Sequence, residues 1–246
     1  MIDAAALRSR LADVRERIAR AAGRAGRDPS SIRLIAVSKT FGVEYVRAAA
    51  DAGQADFGEN KVQEALGKID QTSDLAIRWH LIGHLQSNKA KKAGRFDFVH
   101  SVDSTSLLKK LDDAAAEDGR RMELLIQVDL AGEVTKHGAR EDELMPIFDA
   151  AGSLRASRLV GLMLLPPAVE DPQAARPFFQ ALRGVRDRLL ARGVDPAFLN
   201  ELSMGMSHDF EVAVEEGATL VRVGTAIFGG RTYVRSGPVE EDPTVR

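Results

Sequence analysis

The sequence predicts a single (β/α)8 TIM barrel preceded by one extra helix, and three observations carry that expectation. Eight short apolar runs alternate along the chain with helical segments of mostly about a dozen residues. No low-complexity linker breaks the series, and 246 residues is an ordinary length for one such barrel. Polar and glycine positions gather directly after the apolar runs, which is where a barrel carries its site. An open doubly wound sheet of fewer strands is the competing architecture. The choice depends on accepting a very short second strand at Asp56-Phe57.

The elements follow in order. Residues 3–22 place Leu7, Leu11, Val14 and Ile18 at helical spacing with arginines opposite, and Asp3 is placed to cap this amphipathic helix. A Gly/Pro/Ser connector from Gly23 to Ser31 leads into the first strand, Ile32–Ser38, an apolar run expected to be buried on both faces. The remaining strands are expected at Asp56-Phe57, Arg78–Ile82, Phe96–Val99, Glu123–Val128, Arg158–Met163, Asn200–Ser203 and Thr219–Val223. Helical periodicity falls between them at Val43–Ala52, Asn60–Ile69, Asn88–Ala93, Thr105–Asp118, Asp142–Ala151, Gln173–Ala191 and Phe210–Glu216. Residues 1–231 therefore form one barrel domain, with 1–31 as its leading helix and connector. The stretch 232–246, with Ser236-Gly237-Pro238 and Glu240-Glu241-Asp242-Pro243, is expected to be a loose tail.

Composition removes several classes of function. Lys and Arg number 34 against 36 Asp and Glu, and a net charge of −2 gives no general attraction to nucleic acid or anionic membranes. The absence of cysteine excludes disulfides, thiol nucleophiles and Cys-ligated zinc. Arg8, Arg10, Arg15 and Arg17 interrupt any signal-like apolar core, and no run is long enough to span a bilayer. A cytoplasmic protein is expected. No heptad or long apolar patch demands a partner, so a monomer is expected too.

The strand ends carry the chemistry. Leu34-Ile35-Ala36-Val37-Ser38 leads directly into Lys39. A lysine so placed either ends the strand and reaches solvent, or sits against apolar surface that disfavours its charge, where its amine can condense with an aldehyde. The other strands end in Gly58-Glu59-Asn60, Gly83-His84-Leu85-Gln86, His100-Ser101, Asp129 and Met163. Strand seven opens into Ser203-Met204-Gly205-Met206-Ser207, and strand eight into Gly224-Thr225. Barrels often hold a phosphate after strands seven and eight, and these turns offer hydroxyls and glycines, although ordinary tight turns look alike. Neither turn matches a Walker or dinucleotide fingerprint. Across the mouth from Lys39, they favour a small phosphorylated aldehyde. Alternation along Leu220-Val221-Arg222-Val223 puts Arg222 on the side of Leu220. An arginine inside a strand needs a partner, either a carboxylate such as Glu59 or Glu201, or an acceptor on a ligand.

The segments Ala36-Val37-Ser38-Lys39-Thr40, Phe57-Gly58-Glu59-Asn60 and Trp79-His80-Leu81-Ile82-Gly83-His84-Leu85-Gln86-Ser87-Asn88-Lys89 share a further property. With Gly161-Leu162-Met163, Leu202-Ser203-Met204-Gly205-Met206-Ser207 and Val221-Arg222-Val223-Gly224-Thr225-Ala226-Ile227-Phe228-Gly229, they resemble the pyridoxal-phosphate homeostasis proteins. That family, also called proline-synthase co-transcribed homologues, has a fold like the N-terminal barrel of alanine racemase. The resemblance runs in order over about residues 32–231. It implies that Lys39 holds pyridoxal 5′-phosphate (PLP) as a covalent Schiff base. It implies that Ser203, Gly205, Gly224 and Thr225 hold the phosphate and that Arg222 faces the ring nitrogen. It further places Asn60, Met163 and Met204 at the cofactor.

Two functions remain open on the residues: an amino-acid racemase, or a carrier that holds the cofactor and hands it on. Racemisation needs a proton group on each face of the substrate. In alanine racemase-like enzymes the second group is a tyrosine from another domain and subunit. Here the tyrosines are Tyr45, on the first crossover helix, and Tyr233, in the tail, and the element series shows no second domain. The resemblance implies the carrier: a non-catalytic protein of vitamin B6 and amino-acid pool balance, with apo PLP-dependent enzymes as recipients.

Overall fold

Eight parallel strands close into a barrel in sequence order, each hydrogen-bonded to the next and the last to the first. The structure is a computed structural model, and it describes residues 2–130 and 137–230. The tail expected at 232–246, and Tyr233 within it, lie outside the described residues. The strands are β1 (Arg33–Val37), β2 (Asp56–Glu59), β3 (Arg78–Leu81), β4 (Phe98–Val102), β5 (Met122–Gln127), β6 (Ser157–Met163), β7 (Glu201–Met206) and β8 (Leu220–Val223). Helix α1 (Ala4–Arg24) precedes them, and α2 (Val43–Asp51), α3 (Val62–Gln71), α4 (Thr105–Glu117), α5 (Leu144–Ala151), α6 (Arg176–Ala191) and α7 (Phe210–Glu215) form crossovers. A short α8 (Thr225–Phe228) follows β8. The crossover after β3 is a seven-residue 3₁₀ segment, Ser87–Ala93, in place of the expected α-helix. Short connectors commonly use this tighter helix.

Helix α1 forms for the reasons visible in its sequence. The Asp3 carboxylate accepts the Ala6 N–H at 2.9 Å, and Leu7, Leu11, Val14 and Ile18 are buried on one face. Its opposite residues tie it to the last helices of the barrel: Arg17 pairs with Glu211 at 3.0 Å, Arg24 with Glu215 at 2.8 Å, and Arg10 Nε donates to the Ile227 carbonyl at 2.7 Å. It also packs on α2, so it lies over the side where β8 meets β1.

Three strands differ from expectation by two residues or more. β2 runs on to Glu59, β4 starts at Phe98 and runs to Val102, and β7 continues through Met206. The reason is common to β4 and β7: inward residues His100 and Ser203 are polar, and a polar residue inside a strand breaks the apolar run that marks it. The barrel interior is correspondingly mixed. Ile35, Phe98, Leu125, Val160, Met163 and Leu220 form its apolar cluster, separate from the larger core between strands and helices. Asp56, His80, His100, Ser203 and Arg222 are buried polar residues. Gly161 allows β6 and β7 to approach, since a Cβ there would lie 2.0 Å from the Glu201 carbonyl oxygen. None of the described helices is long and apolar enough to cross a membrane.

Two consequences are measurable. The buried Asp112 carboxylate on α4 accepts the backbone N–H groups of Arg155, Ala156 and Ser157 at 2.8–3.1 Å, which pins the start of β6. Asp112→Ala should cost about 3 kcal/mol, read as a lower urea midpoint at unchanged slope. Burial also holds His80 and His100 below the ordinary imidazole range. The unfolded chain therefore binds protons that the folded chain refuses. Stability should fall as pH drops below about 6.5, by up to about 1.4 kcal/mol per pH unit for each histidine that stays neutral. Unfolding free energies measured between pH 7 and 5 check this.

Candidate binding site at the barrel mouth

A cavity of about 390 Å³ opens where the strands end, within the roughly 300–1,000 Å³ common for small-molecule sites. Lys39, Asn60, Arg222, Gly224 and Thr225 line it together, with Val37, Ile82 and Leu165 as apolar wall. No carboxylate stands among its described lining residues, while Lys39 and Arg222 contribute positive charge, so the cavity suits an anion.

Lys39 reaches the mouth by alternation, since Ile35 points into the barrel and Val37 and Lys39 follow at spacings of two. The backbone on either side of it is clamped from outside the barrel. Ser38 Oγ donates to Glu59 Oε1 at 2.7 Å, and Lys68 Nζ on α3 donates to the Ser38 carbonyl at 2.9 Å. Lys68 also donates to Glu59 at 2.6 Å and Glu64 at 3.0 Å, and Glu64 accepts the Thr40 N–H at 2.6 Å. Burial pushes the Glu59 carboxyl above its ordinary range, against the opposing pull of Lys68. Thr40 has φ +70°, a conformation costly for a β-branched residue and held here by the Glu64 bond. Lys68 and Glu64 are absent from the sequence-derived site. Their trace in the sequence is an acid and a lysine four residues apart on α3, a spacing common on any helix.

Arg222 lies inside the barrel, as alternation predicts, and its partners are neither of the expected carboxylates. Nη1 donates to Ser203 Oγ at 2.6 Å and Nη2 to the Leu164 carbonyl at 2.8 Å. Glu59 faces α3 instead, and Glu201 accepts from the Thr219 hydroxyl and lies 3.9 Å from Arg33. Burial lowers the Arg222 guanidinium to about 10, still charged at neutral pH.

The two turns expected to hold an anion meet at the mouth. Ser207 Oγ accepts the Gly224 N–H at 3.0 Å, joining the segments after β7 and β8, and Thr225 opens α8. Because β7 runs to Met206, Ser207 takes the wall position, while Ser203 lies four residues earlier, deeper in the barrel, and is buried. Met163 belongs to the interior apolar cluster and Met204 to the core outside the strands. Gly205 has φ +91°, and a Cβ there would come within 2.5 Å of Ala213, so glycine lets β7 sit against α7. These four residues surround the site without lining the cavity. Two histidines line it that the sequence-derived site omits. His84 stacks on His137 with ring centroids 3.5 Å apart, and His208 Nε2 lies 2.7 Å from the Glu170 carbonyl. Among the described residues no group of three or more His, Cys, Asp or Glu could hold a metal ion.

The architecture and the cavity define a small-molecule-binding (β/α)8 barrel with its site at the strand C-termini. The family model for the alanine racemase N-terminal domain matches residues 2–232. A pyridoxal phosphate homeostasis protein of Aquifex aeolicus is 43% identical over 225 residues, which is 91% of this chain and 98% of that one. PipY of Synechococcus elongatus PCC7942, solved with and without PLP, is 40% identical, with 91% of this chain and 100% of that one covered. The TM-scores are 0.79 and 0.80 respectively. Alanine racemase of Corynebacterium glutamicum shares the fold at 18% identity and TM-score 0.69, over 94% of this chain and 63% of that one. The chain belongs to the alanine racemase N-terminal domain family and, within it, to the pyridoxal phosphate homeostasis proteins.

The clamp behind Lys39 can be tested alone. Lys68→Met leaves Glu59 buried without its cation and should cost about 3–5 kcal/mol in chemical denaturation. Adding Glu59→Gln should recover much of that loss, because the uncompensated charge is then gone.

Proposed function

We propose that this barrel binds PLP at its mouth, with the cofactor aldehyde held by Lys39 as a Schiff base, and that it serves intracellular PLP balance without turning over a substrate. The observation that carries the reading is the meeting of a lysine, a guanidinium and two joined hydroxyl-and-glycine turns in one carboxylate-free cavity. In this reading Ser207, Gly224 and Thr225 take the phosphate, with Gly205 setting the course of the turn. Arg222 faces the ring nitrogen, supported by Ser203 beneath it. Asn60 flanks the ring, and Met163 and Met204 pack behind the site. Bound PLP supplies an electrophilic aldehyde and a ring able to accept electrons. Arg222 keeps its own proton at neutral pH, so it donates to the ring nitrogen without protonating it, which weakens that electron sink.

The carrier reading is supported by relatives named for PLP homeostasis. Residues 1–231 act in it as a single cofactor-holding domain, a cytoplasmic monomer that passes PLP to apo PLP-dependent enzymes. The alternative, an amino-acid racemase, needs a second proton group at the cavity. Tyr45 is not on the wall, but packs against Phe41 at 5.0 Å. His84 and His208 are on the wall and are the groups a racemase would use.

Borohydride treatment of PLP-loaded protein should leave a reduced adduct on the peptide containing Lys39. A Lys39→Ala protein carrying the same adduct would overturn the assignment. Thr225→Val, which removes one hydroxyl from the phosphate turn, should weaken PLP retention about tenfold. Amino acids incubated with the holo-protein in deuterated water distinguish the two functions. Multi-turnover exchange at the α-carbon, abolished by His84→Ala or His208→Ala, would establish the racemase. Its absence supports the carrier.

A further inference from the structure

Five buried polar side chains cross the barrel interior as one line. Asp56 Oδ1 lies 2.9 Å from His80 Nε2, and His80 Nδ1 lies 3.0 Å from His100 Nε2. His100 Nδ1 lies 2.8 Å from Ser203 Oγ, which accepts from Arg222 Nη1 at 2.6 Å. The residues come from β2, β3, β4, β7 and β8 in turn. The line begins at Asp56, the first residue of its strand and paired with Arg78 at 2.7 Å, and ends at Arg222 in the cavity wall. It therefore joins the end of the barrel where strands begin to the end where the site lies.

The chemistry of the two ends fixes the direction of every bond between them. Arginine can only donate, and an ionised carboxylate can only accept. Ser203 has one hydrogen, so having accepted from Arg222 it gives that hydrogen to His100 Nδ1. A neutral imidazole has one donor and one acceptor. His100 then carries its proton on Nε2 and donates to His80 Nδ1, and His80 carries its proton on Nε2 and donates to Asp56. Each group along the line is satisfied once, with both histidines neutral. Burial favours the same state, since it holds both imidazoles below their ordinary range. At Asp56 burial pushes the carboxyl up, and the bonds from His80 and Arg78 outweigh it and keep the group ionised. Hydrogen bonds that all run one way polarise one another, and so does this line between a cation and an anion.

We propose that Asp56 is a positioning residue for the mouth: through His80 and His100 it turns the Ser203 hydroxyl into an acceptor for Arg222 and so sets the guanidinium in the cavity wall. The statement about Arg222 and the cofactor ring rests on the proposed function, whereas the direction of the line does not. With an amide at position 56 the fixed end is lost. The amide offers either an oxygen or an NH2 to His80, so both directions become available. In the reversed direction Ser203 accepts twice and its own hydrogen has no acceptor in the line.

The line is tested first in apo-protein by nitrogen NMR of ¹⁵N-histidine, which distinguishes protonated from bare ring nitrogens. His80 and His100 should each be protonated at Nε2 and bare at Nδ1 at pH 7. A protonated Nδ1 on either residue overturns the direction, and this readout needs neither a variant nor the cofactor. In Asp56→Asn a second tautomer should appear, the absorption band of bound PLP should shift, and PLP retention should weaken about tenfold. A folded Asp56→Asn protein with wild-type band and retention overturns the positioning role. If that variant does not fold, His80→Phe cuts the line one step further in. It should shift the band likewise, and an unchanged band overturns the proposal. Arg78→Ala removes the partner of Asp56 outside the line; the stronger His80 bond should by itself keep Asp56 ionised, leaving tautomers and band as in wild type. An equal shift there would assign the effect to charge at that end of the barrel and overturn the line. Should the protein take up no PLP at all, the proposed function fails, and the tautomers still decide the direction of the line.

Discussion

An arginine buried inside a barrel must be partnered, and the arrangement of this molecule follows from how Arg222 is partnered. Burying an unpaired guanidinium costs far more than a single core contact returns. Among the described residues no carboxylate bonds it directly; Ser203 and a backbone carbonyl do. From Ser203 on β7 the polar contacts continue inward through His100 on β4 and His80 on β3 to Asp56 on β2. The apolar cluster of the interior is correspondingly small, and stability depends on the larger core between strands and helices.

The other cationic residue of the cavity, Lys39, is flanked by a different device on the other side of the sheet. Lys68, Glu59 and Glu64 sit between β2 and α3, and they hold Ser38 and Thr40 rather than Lys39 itself. Lys39 lines the cavity while the backbone on both of its flanks is held. A backbone fixed in this way suits the Schiff-base role proposed for Lys39. A buried ion cluster of this kind adds little net stability, because desolvation offsets most of the attraction. Its effect is positional.

Much of the barrel is legible in the sequence because outward-facing strand residues are apolar wherever helices cover them. Lys39 after Leu34-Ile35-Ala36-Val37, the inward side of Arg222, and the Gly224-Thr225 turn can all be read that way. What is not legible depends on inward-facing polar residues. Ser203 resembles a loop hydroxyl in sequence, yet β7 carries it deep into the barrel and brings Ser207 to the wall. His100 shifts β4 for the same reason. The partners of Arg222 and the clamp around Ser38 each join residues of different elements, and no spacing along one element announces them. The extent of β2 was equally hidden, since Gly58 and Glu59 are poor strand formers that the neighbouring strands nevertheless pair.

In the proposed function the mouth holds PLP reversibly through Lys39 for delivery elsewhere. A titration of apo-protein with PLP, followed by mixing the loaded protein with an apo PLP-dependent enzyme, tests this most directly. Uptake should saturate at about one equivalent, and loss of the bound absorption band should keep pace with recovery of the recipient's activity. Non-saturating uptake, or a band that persists while the recipient stays inactive, would contradict it.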